Sequence, residues 1–272
     1  GFPAVIECGC ADWRRGAEKL LARLPVQGVS FNDAGDAADD LLQAPLLERL
    51  SAVCVSETGL AGGGLEGFVK LPALSNLRVL LAYLDELGVG AFRAIGQAES
   101  LAGLEALDLW GNDCGADAVE ALASSPVLRS LRTLKLSHNE IGDAGLRALS
   151  RSAVLDSVRD LDLGGNGVTA AGAGALAKSP HLKSLTHLYL GFNRIDSPGA
   201  VALAKDAPLD RLVCLDLQEN PIGTAGLAAV CGANLGRLRP LDLSGCHVEA
   251  AGAEALAGCS SVGELRLLNL GY

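Results

Sequence analysis

Asp160, Asp162, Asp216 and Asp242 are the residues of this chain whose types and spacing could do chemistry. Carboxylates held about 5 Å apart are the working pair of retaining glycoside hydrolysis. Several together with His187 could instead hold a divalent ion. Neither reading is adopted. Catalysis needs a concave, water-excluding pocket with polarised groups, and a short open sheet with Gly164 and Gly165 as a shallow gap supplies none. The four histidines are scattered without metal-ligand spacing. Cys8 and Cys10 form a C-x-C on an expected strand, with no second Cys or His pair nearby. The chain is therefore expected to be no enzyme, with no metal and no cofactor.

What positions these aspartates is a repeat. Leu131 to Leu155, LRTLKLSHNEIGDAGLRALSRSAVL, is one complete unit. Leu131, Leu134 and Leu136 set a strand with one buried face. Asn139 sits at a bend, where its amide can both donate to and accept from unpaired backbone groups. Ile141, Leu146, Leu149 and Leu155 then define a short helix. One unit cannot bury its own leucines, whereas stacked copies share a core.

Strand starts fall at Val26, Leu50, Leu77, Leu104, Leu131, Val158, Leu185, Leu212, Leu238 and Leu265, mostly 27 residues apart. The bend carries Asn112, Asn139, Asn166, Asn193 and Asn220, replaced elsewhere by Thr58, Asp85 and Cys246. Six residues later stands Gly64, Ala91, Ala118, Gly145, Gly172, Gly199, Gly226 or Gly252. Glycine in a helix costs up to about 1 kcal/mol relative to Ala, so close packing is the expected reason for its recurrence. Pro126, Pro180 and Pro208 should close helices. In the first repeat, Val26, Val29 and Phe31 are expected inside, because the other register would bury Gln27.

Residues 1–25 depart from this pattern. Ala4, Ile6 and Cys8 alternate as a strand, and Asp12 could cap a helix from about Trp13 to Arg23. They are read as an N-terminal strand-helix cap, and residues 26–272 as a solenoid of about ten strands whose last repeat is incomplete. The final LRLLNLGY makes a strand with no helix after it. That end is expected to be truncated, or to self-associate through its uncapped edge. The chain has no Met and is expected to be a piece of a longer product.

The pattern L-x-x-L-x-L-x-x-N with a 27-residue period resembles the leucine-rich repeat of the ribonuclease-inhibitor type. The wording LAKSPHLKSLTHLYLGFNRI and LRALSRSAVL further resembles a group of bacterial leucine-rich repeat proteins of unassigned function. In that group an opening like GFPAVIECGCADWRRGAEKLLARLPV links a small companion domain to the repeats. The resemblance implies a right-handed α/β horseshoe with a parallel sheet on the concave face and short helices on the convex face. It also implies binding by the concave face.

The third, fifth, seventh and eighth positions of each repeat should point to that face. They hold Tyr83, Asp108, Trp110, Lys135, His138, Asp160, Asp162, His187, Tyr189, Phe192, Asp216, Glu219 and Asp242, and also Glu57. Asp216 and Asp242 should be like charges on neighbouring strands, which is unfavourable and points to a positive ligand. Exposed aromatics are the type enriched at binding hot spots, although Tyr83 and Trp110 could simply stack and cover the sheet. The expected function is a protein-protein interaction scaffold whose partner is a protein or peptide with basic patches. The alternative is a regulatory or positioning arm of a larger multidomain bacterial protein, without a ligand of its own.

A net charge of −10 argues against general nucleic-acid binding, and no apolar run is long enough to span a membrane. A basic row of Arg78, Arg129, Arg132, Arg159, Lys183, Arg211, Arg237, Arg239 and Arg266 lies where each helix passes into the next strand. Helix C-termini favour cations, and that is the expected account of the row. The other reading is a phosphate-bearing or acidic partner. Cys114, Cys231, Cys246 and Cys259 fall at interior or helix-end positions and read as small buried hydrophobes in a reducing compartment. A cytoplasmic location is expected.

Overall fold

The computed structural model of the chain describes residues 5–8, 10–23, 27–31, 45–56, 63–248, 250–259, 263 and 265–271. Every repeat contributes one short strand. In chain order these are β1 (Val5–Cys8), β2 (Gly28–Phe31), β3 (Ala52–Cys54), β4 (Val79–Leu81), β5 (Ala106–Asp108), β6 (Thr133–Lys135), β7 (Asp160–Asp162), β8 (His187–Tyr189), β9 (Cys214–Asp216), β10 (Pro240–Asp242) and β11 (Leu267–Asn269). They form one parallel sheet whose spatial order is the sequence order. The register repeats without slip, so that Leu107, Leu134, Leu161, Leu188 and Leu215 align across five strands.

Between strands the chain returns through helices: α1 (Cys10–Arg23), α2 (Gly64–Phe68), α3 (Val89–Gln97), α4 (Gly115–Ala123), α5 (Gly142–Ser150), α6 (Ala170–Ala177), α7 (Ser197–Asp206), α8 (Gly223–Gly232) and α9 (Ala250–Ala257). Leu131, Leu134, Leu136, Ile141, Leu146 and Leu149 are all buried in one continuous core between the sheet and the helices. The recurring glycine has the expected cause. A Cβ on Gly226 would stand 2.9 Å from Ala200 Cβ and 3.1 Å from Ser197 Cα, both on α7. Helices meet there backbone to backbone.

The bend asparagines act as a ladder. Asn139 Nδ2 donates to Leu136 O in its own repeat (3.0 Å) and to Leu109 O in the preceding one (2.8 Å). Its Oδ1 accepts from Asn112 N at 3.2 Å. Asn166 and Asn193 repeat the arrangement one and two layers on. Cys246 substitutes weakly, its thiol donating to Leu217 O at 3.1 Å. Buried backbone groups need partners, and one amide per turn supplies several.

At the N-terminal end β1 pairs with β2 in parallel, so this segment prolongs the sheet. The helix starts at Cys10, three residues before the expected Trp13, and Asp12 lies in its first turn instead of capping it. The C-x-C therefore does not lie on one strand: Cys8 ends β1 and Cys10 opens α1. Trp13 is buried edge-on against Phe31 and donates to Pro45 O at 3.0 Å. Val29 and Phe31 are inside and Gln27 is exposed, as expected. Val26, Glu57 and Thr58 lie outside the described residues. At the other end β11 leaves Leu267 60% exposed. Among the described residues no helix is long and apolar enough to cross a membrane.

Candidate partner-binding face

One face of the sheet is covered by the core and helices, while the other stays open. On each strand from β5 to β10 the middle residue is buried and its two flanking residues are half-exposed. That alternation follows from the two-residue period of a strand. It places the third- and fifth-position side chains together on the open face.

The fifth-position row is continuous: Asp108, Lys135, Asp162, Tyr189, Asp216 and Asp242 are register partners in turn. Lys135 pairs with Asp108 at 3.1 Å. Asp160 and His187 stand side by side in the third-position row. Burial pushes Asp160 above the usual carboxylate range, and the charge of Asp162 adds to it against the pull of His187 and Lys135. Burial likewise raises Asp216, with Asp242 and Asp162 contributing, although hydrogen bonds from Gln218 oppose the shift. Asp242 is also partly buried, yet it ends below the usual range because Ser244 and Asn269 hydrogen-bond to its carboxylate.

The aspartates have a structural duty that their side-chain types do not announce. Each accepts from the backbone N–H two residues on, where the strand ends. Asp108 accepts from Trp110 (3.2 Å), Asp162 from Gly164 (3.1 Å), Asp216 from Gln218 (2.9 Å) and Asp242 from Ser244 (2.9 Å). Ser137, Gln218 and Ser244 also belong to the face, because each hydrogen-bonds an aspartate with its side chain. Their common seventh position was the available signal.

The aromatic residues fall into two groups. Tyr83, Trp110 and His138 form an edge-to-face run, with centroids 6.2 Å and 5.9 Å apart. The stacking that is the alternative reading of Tyr83 and Trp110 is present, and it extends to His138. A pocket of about 360 Å³ lies beside them, lined by Tyr83, Asp108, Trp110, Lys135, Ser137 and Asp162. Tyr189 sits among the acids, three strands from Asp108. Burial first, then the neighbouring Cys214 and the acids Asp160 and Asp162, push its hydroxyl well above the usual range.

Phe192 is 53% exposed and has φ +56°. His138 and Glu219 share that left-handed backbone at the same eighth position. His138 lies over Gly165 and Glu219 over Gly245, where a Cβ would collide with each side chain. The eighth side chain thus folds flat onto a neighbouring glycine and leaves the strands uncovered. Phe192 stands beside Glu219 instead of a glycine.

The six cysteines among the described side chains are thiols, none bridged. Burial raises Cys231 and Cys114 to about 12 and Cys246 to about 11. Cys114 is only half-buried, packed against the core edge. Among the described residues no group of three or more His, Cys, Asp or Glu side chains is placed to hold a metal ion.

The family described as Leucine Rich repeat matches residues 127–150, 156–177, 181–204, 212–231 and 238–257. No curated protein matches the chain. Among solved structures it is similar to an internalin from Listeria monocytogenes, with TM-score 0.53 and 18% identity over 90% of this chain and 74% of that one. It is also similar to a chain of the TLR13–ssRNA13 complex, with TM-score 0.55 and 18% identity over 97% of this chain but only 34% of that one. A chain of the yeast Rad7 and Elc1 complex gives TM-score 0.51 and 15% identity, with 97% and 77% covered. At such identities the likeness is one of fold.

Proposed function

From a chain of leucine-rich repeats folded as an α/β solenoid, we propose a protein-interaction scaffold. It binds a basic segment of a protein or peptide on the open, acidic and aromatic face, which we read as the concave side. Repeats of this kind generally serve as interaction scaffolds, and fold alone does not name a ligand. The observation that carries the reading is the in-register row Asp162, Tyr189, Asp216, Asp242. The one cation of the fifth-position row, Lys135, is engaged with Asp108. Asp216 and Asp242 stand side by side, so a Lys or Arg from outside would relieve a repulsion as well as form an ion pair. Trp110 and Phe192 flank the row with apolar area. We read the compartment as cytoplasmic.

Fluorescence anisotropy with a labelled (Lys-Phe-Gly)₃ peptide tests the proposal. Affinity should fall as salt rises. The triple variant W110A/Y189A/D216N should lose about tenfold or more, on the scale of one hot-spot contact. Unchanged affinity in that variant sinks the reading.

A further inference from the structure

A second surface carries the opposite charge. Where the chain enters β4 to β8, a groove of about 510 Å³ is lined by Arg78, Arg129, Arg132, Arg159, Glu105, Gly103, Ser130, Ser157 and Ser184. Four guanidinium groups and one carboxylate face a common space in a chain whose net charge is −10. Helix C-termini do not account for this. The last turns of α4 and α6 carry no basic residue, and α5 uses Arg147 there. Arg78 lies folded over Gly103 and donates to Leu77 O at 3.0 Å, in the strand-entry loop. Arg132 meets Glu105 at 3.6 Å, with both side chains well exposed. Among the described residues Arg159 has no ion pair or side-chain hydrogen bond.

The serines that line the groove bear on the ligand class. Ser130, Ser157 and Ser184 occupy the same position in three consecutive repeats. Their hydroxyls donate to Ala102 O (3.2 Å), Arg129 O (3.0 Å) and Asp156 O (2.8 Å). With each hydrogen committed, the hydroxyls offer lone pairs only. A phosphate group, itself an acceptor, gains nothing from such a floor, whereas the N–H groups of a peptide backbone do. No aromatic residue lines the groove to stack a base. Forked guanidinium groups match carboxylates in a planar, two-point fashion, and Glu105 already brings one carboxylate to within 3.6 Å of Arg132 Nε.

We propose that this strand-entry groove binds an acidic peptide segment in extended form. Arg132 and Arg159 grip its carboxylates, and the serine floor accepts from its backbone. The site is distinct from the open face of the sheet and is opposite to it in sign. It would let one solenoid hold a basic and an acidic segment at once.

The test is anisotropy of a fluorescein-labelled (Glu-Gly)₄ peptide on the full chain, with folding of each variant checked by far-UV circular dichroism. The double variant R132Q/R159Q should weaken binding at least tenfold. R132K/R159K keeps the charge but loses the forked donors, and should weaken it about threefold. Ser157→Ala should weaken it about twofold or more without any change of charge. W110A/Y189A/D216N should leave it within twofold. The proposal is overturned if the arginine variants bind as the parent does. Tighter binding of an eight-nucleotide oligo-U RNA than of the peptide would overturn it, as would complete displacement of the peptide by millimolar inorganic phosphate.

Discussion

Lys135 Nζ lies 3.1 Å from Asp108 Oδ2, across the β5–β6 pairing, and closes one end of an otherwise acidic row. The lysine is 43% exposed, so this pair contributes little to stability, by about 0–1 kcal/mol. Its larger effect is on the charge of the face. Lys135→Gln should leave the urea midpoint almost unchanged and raise affinity for a cationic peptide several-fold at low salt. Equal affinity of variant and parent would show that Asp108 takes no part in binding.

The asparagine ladder makes a sharper demand. Replacing Asn139 by Ala strands Asn112 N in the interior and takes one of two amide donors from Leu109 O and Leu136 O, which keep Asn112 Nδ2 and Asn166 Nδ2. At about 1–3 kcal/mol for an unpaired buried group, the variant should lose about that much in urea unfolding. Cys246 gives the converse case, since its thiol supplies one weak donor where the asparagine layers have an amide. Cys246→Asn should stabilise the protein by about 1 kcal/mol.

Two glycines separate packing from helix propensity. Gly174 on α6 has only Ala202 Cβ near its absent Cβ, at 3.7 Å. Gly174→Ala should therefore stabilise by up to about 1 kcal/mol. Gly226→Ala gains the same propensity but drives a methyl into Ala200 and Ser197. Overpacking costs about 1–3 kcal/mol, so the net change should be destabilising. Thermal melts of the pair decide this; the same sign for both would refute the close-approach account.

Asp216 sets a dependence on pH. Its folded pKa is raised, by burial first and then by Asp242 and Asp162, above an unfolded value of about 3.9. Between those two values the native state holds more proton than the unfolded chain, so stability falls as pH rises through that window. Asp143 works the other way. Burial would raise it, but hydrogen bonds from Thr169 and Gly172 together with Arg147 hold it low, so its contribution is present above its unfolded pKa and is lost on acidification. Asp216→Asn should stabilise the chain at pH 7 by about 0.2–1 kcal/mol, the scale of a like-charged cross-strand pair. The gain should shrink as pH falls through the raised folded pKa and then the unfolded one, as urea titrations across that window would show. The same change should weaken a cationic ligand.

The repeat, its strand starts, the bend asparagines and the small helix position were legible in the sequence. Stacking forces each layer to meet the same local demands, so the demands recur in the letters. Leu134 is inside because Leu107 and Leu161 are inside. The face on which Trp110, Lys135 and Asp216 stand was legible for the same reason, since strand periodicity decides it. What each side chain does on that face needed three dimensions. The Asp108 and Asp162 carboxylates turn back to cap strand-end N–H groups, and a rotamer is set by neighbours that no pattern lists. Lys135 has Asp108 and Asp162 as register neighbours on its two sides, and packing pairs it with Asp108. The arginine groove shows the limit most clearly. Arg132 and Arg159 were visible as a basic row, but the serine hydroxyls that define the ligand are oriented by carbonyls 28 residues away. Sequence determines which residues share a layer, because layers repeat. Only the tertiary structure decides where their hydrogens point, because that depends on contacts between layers.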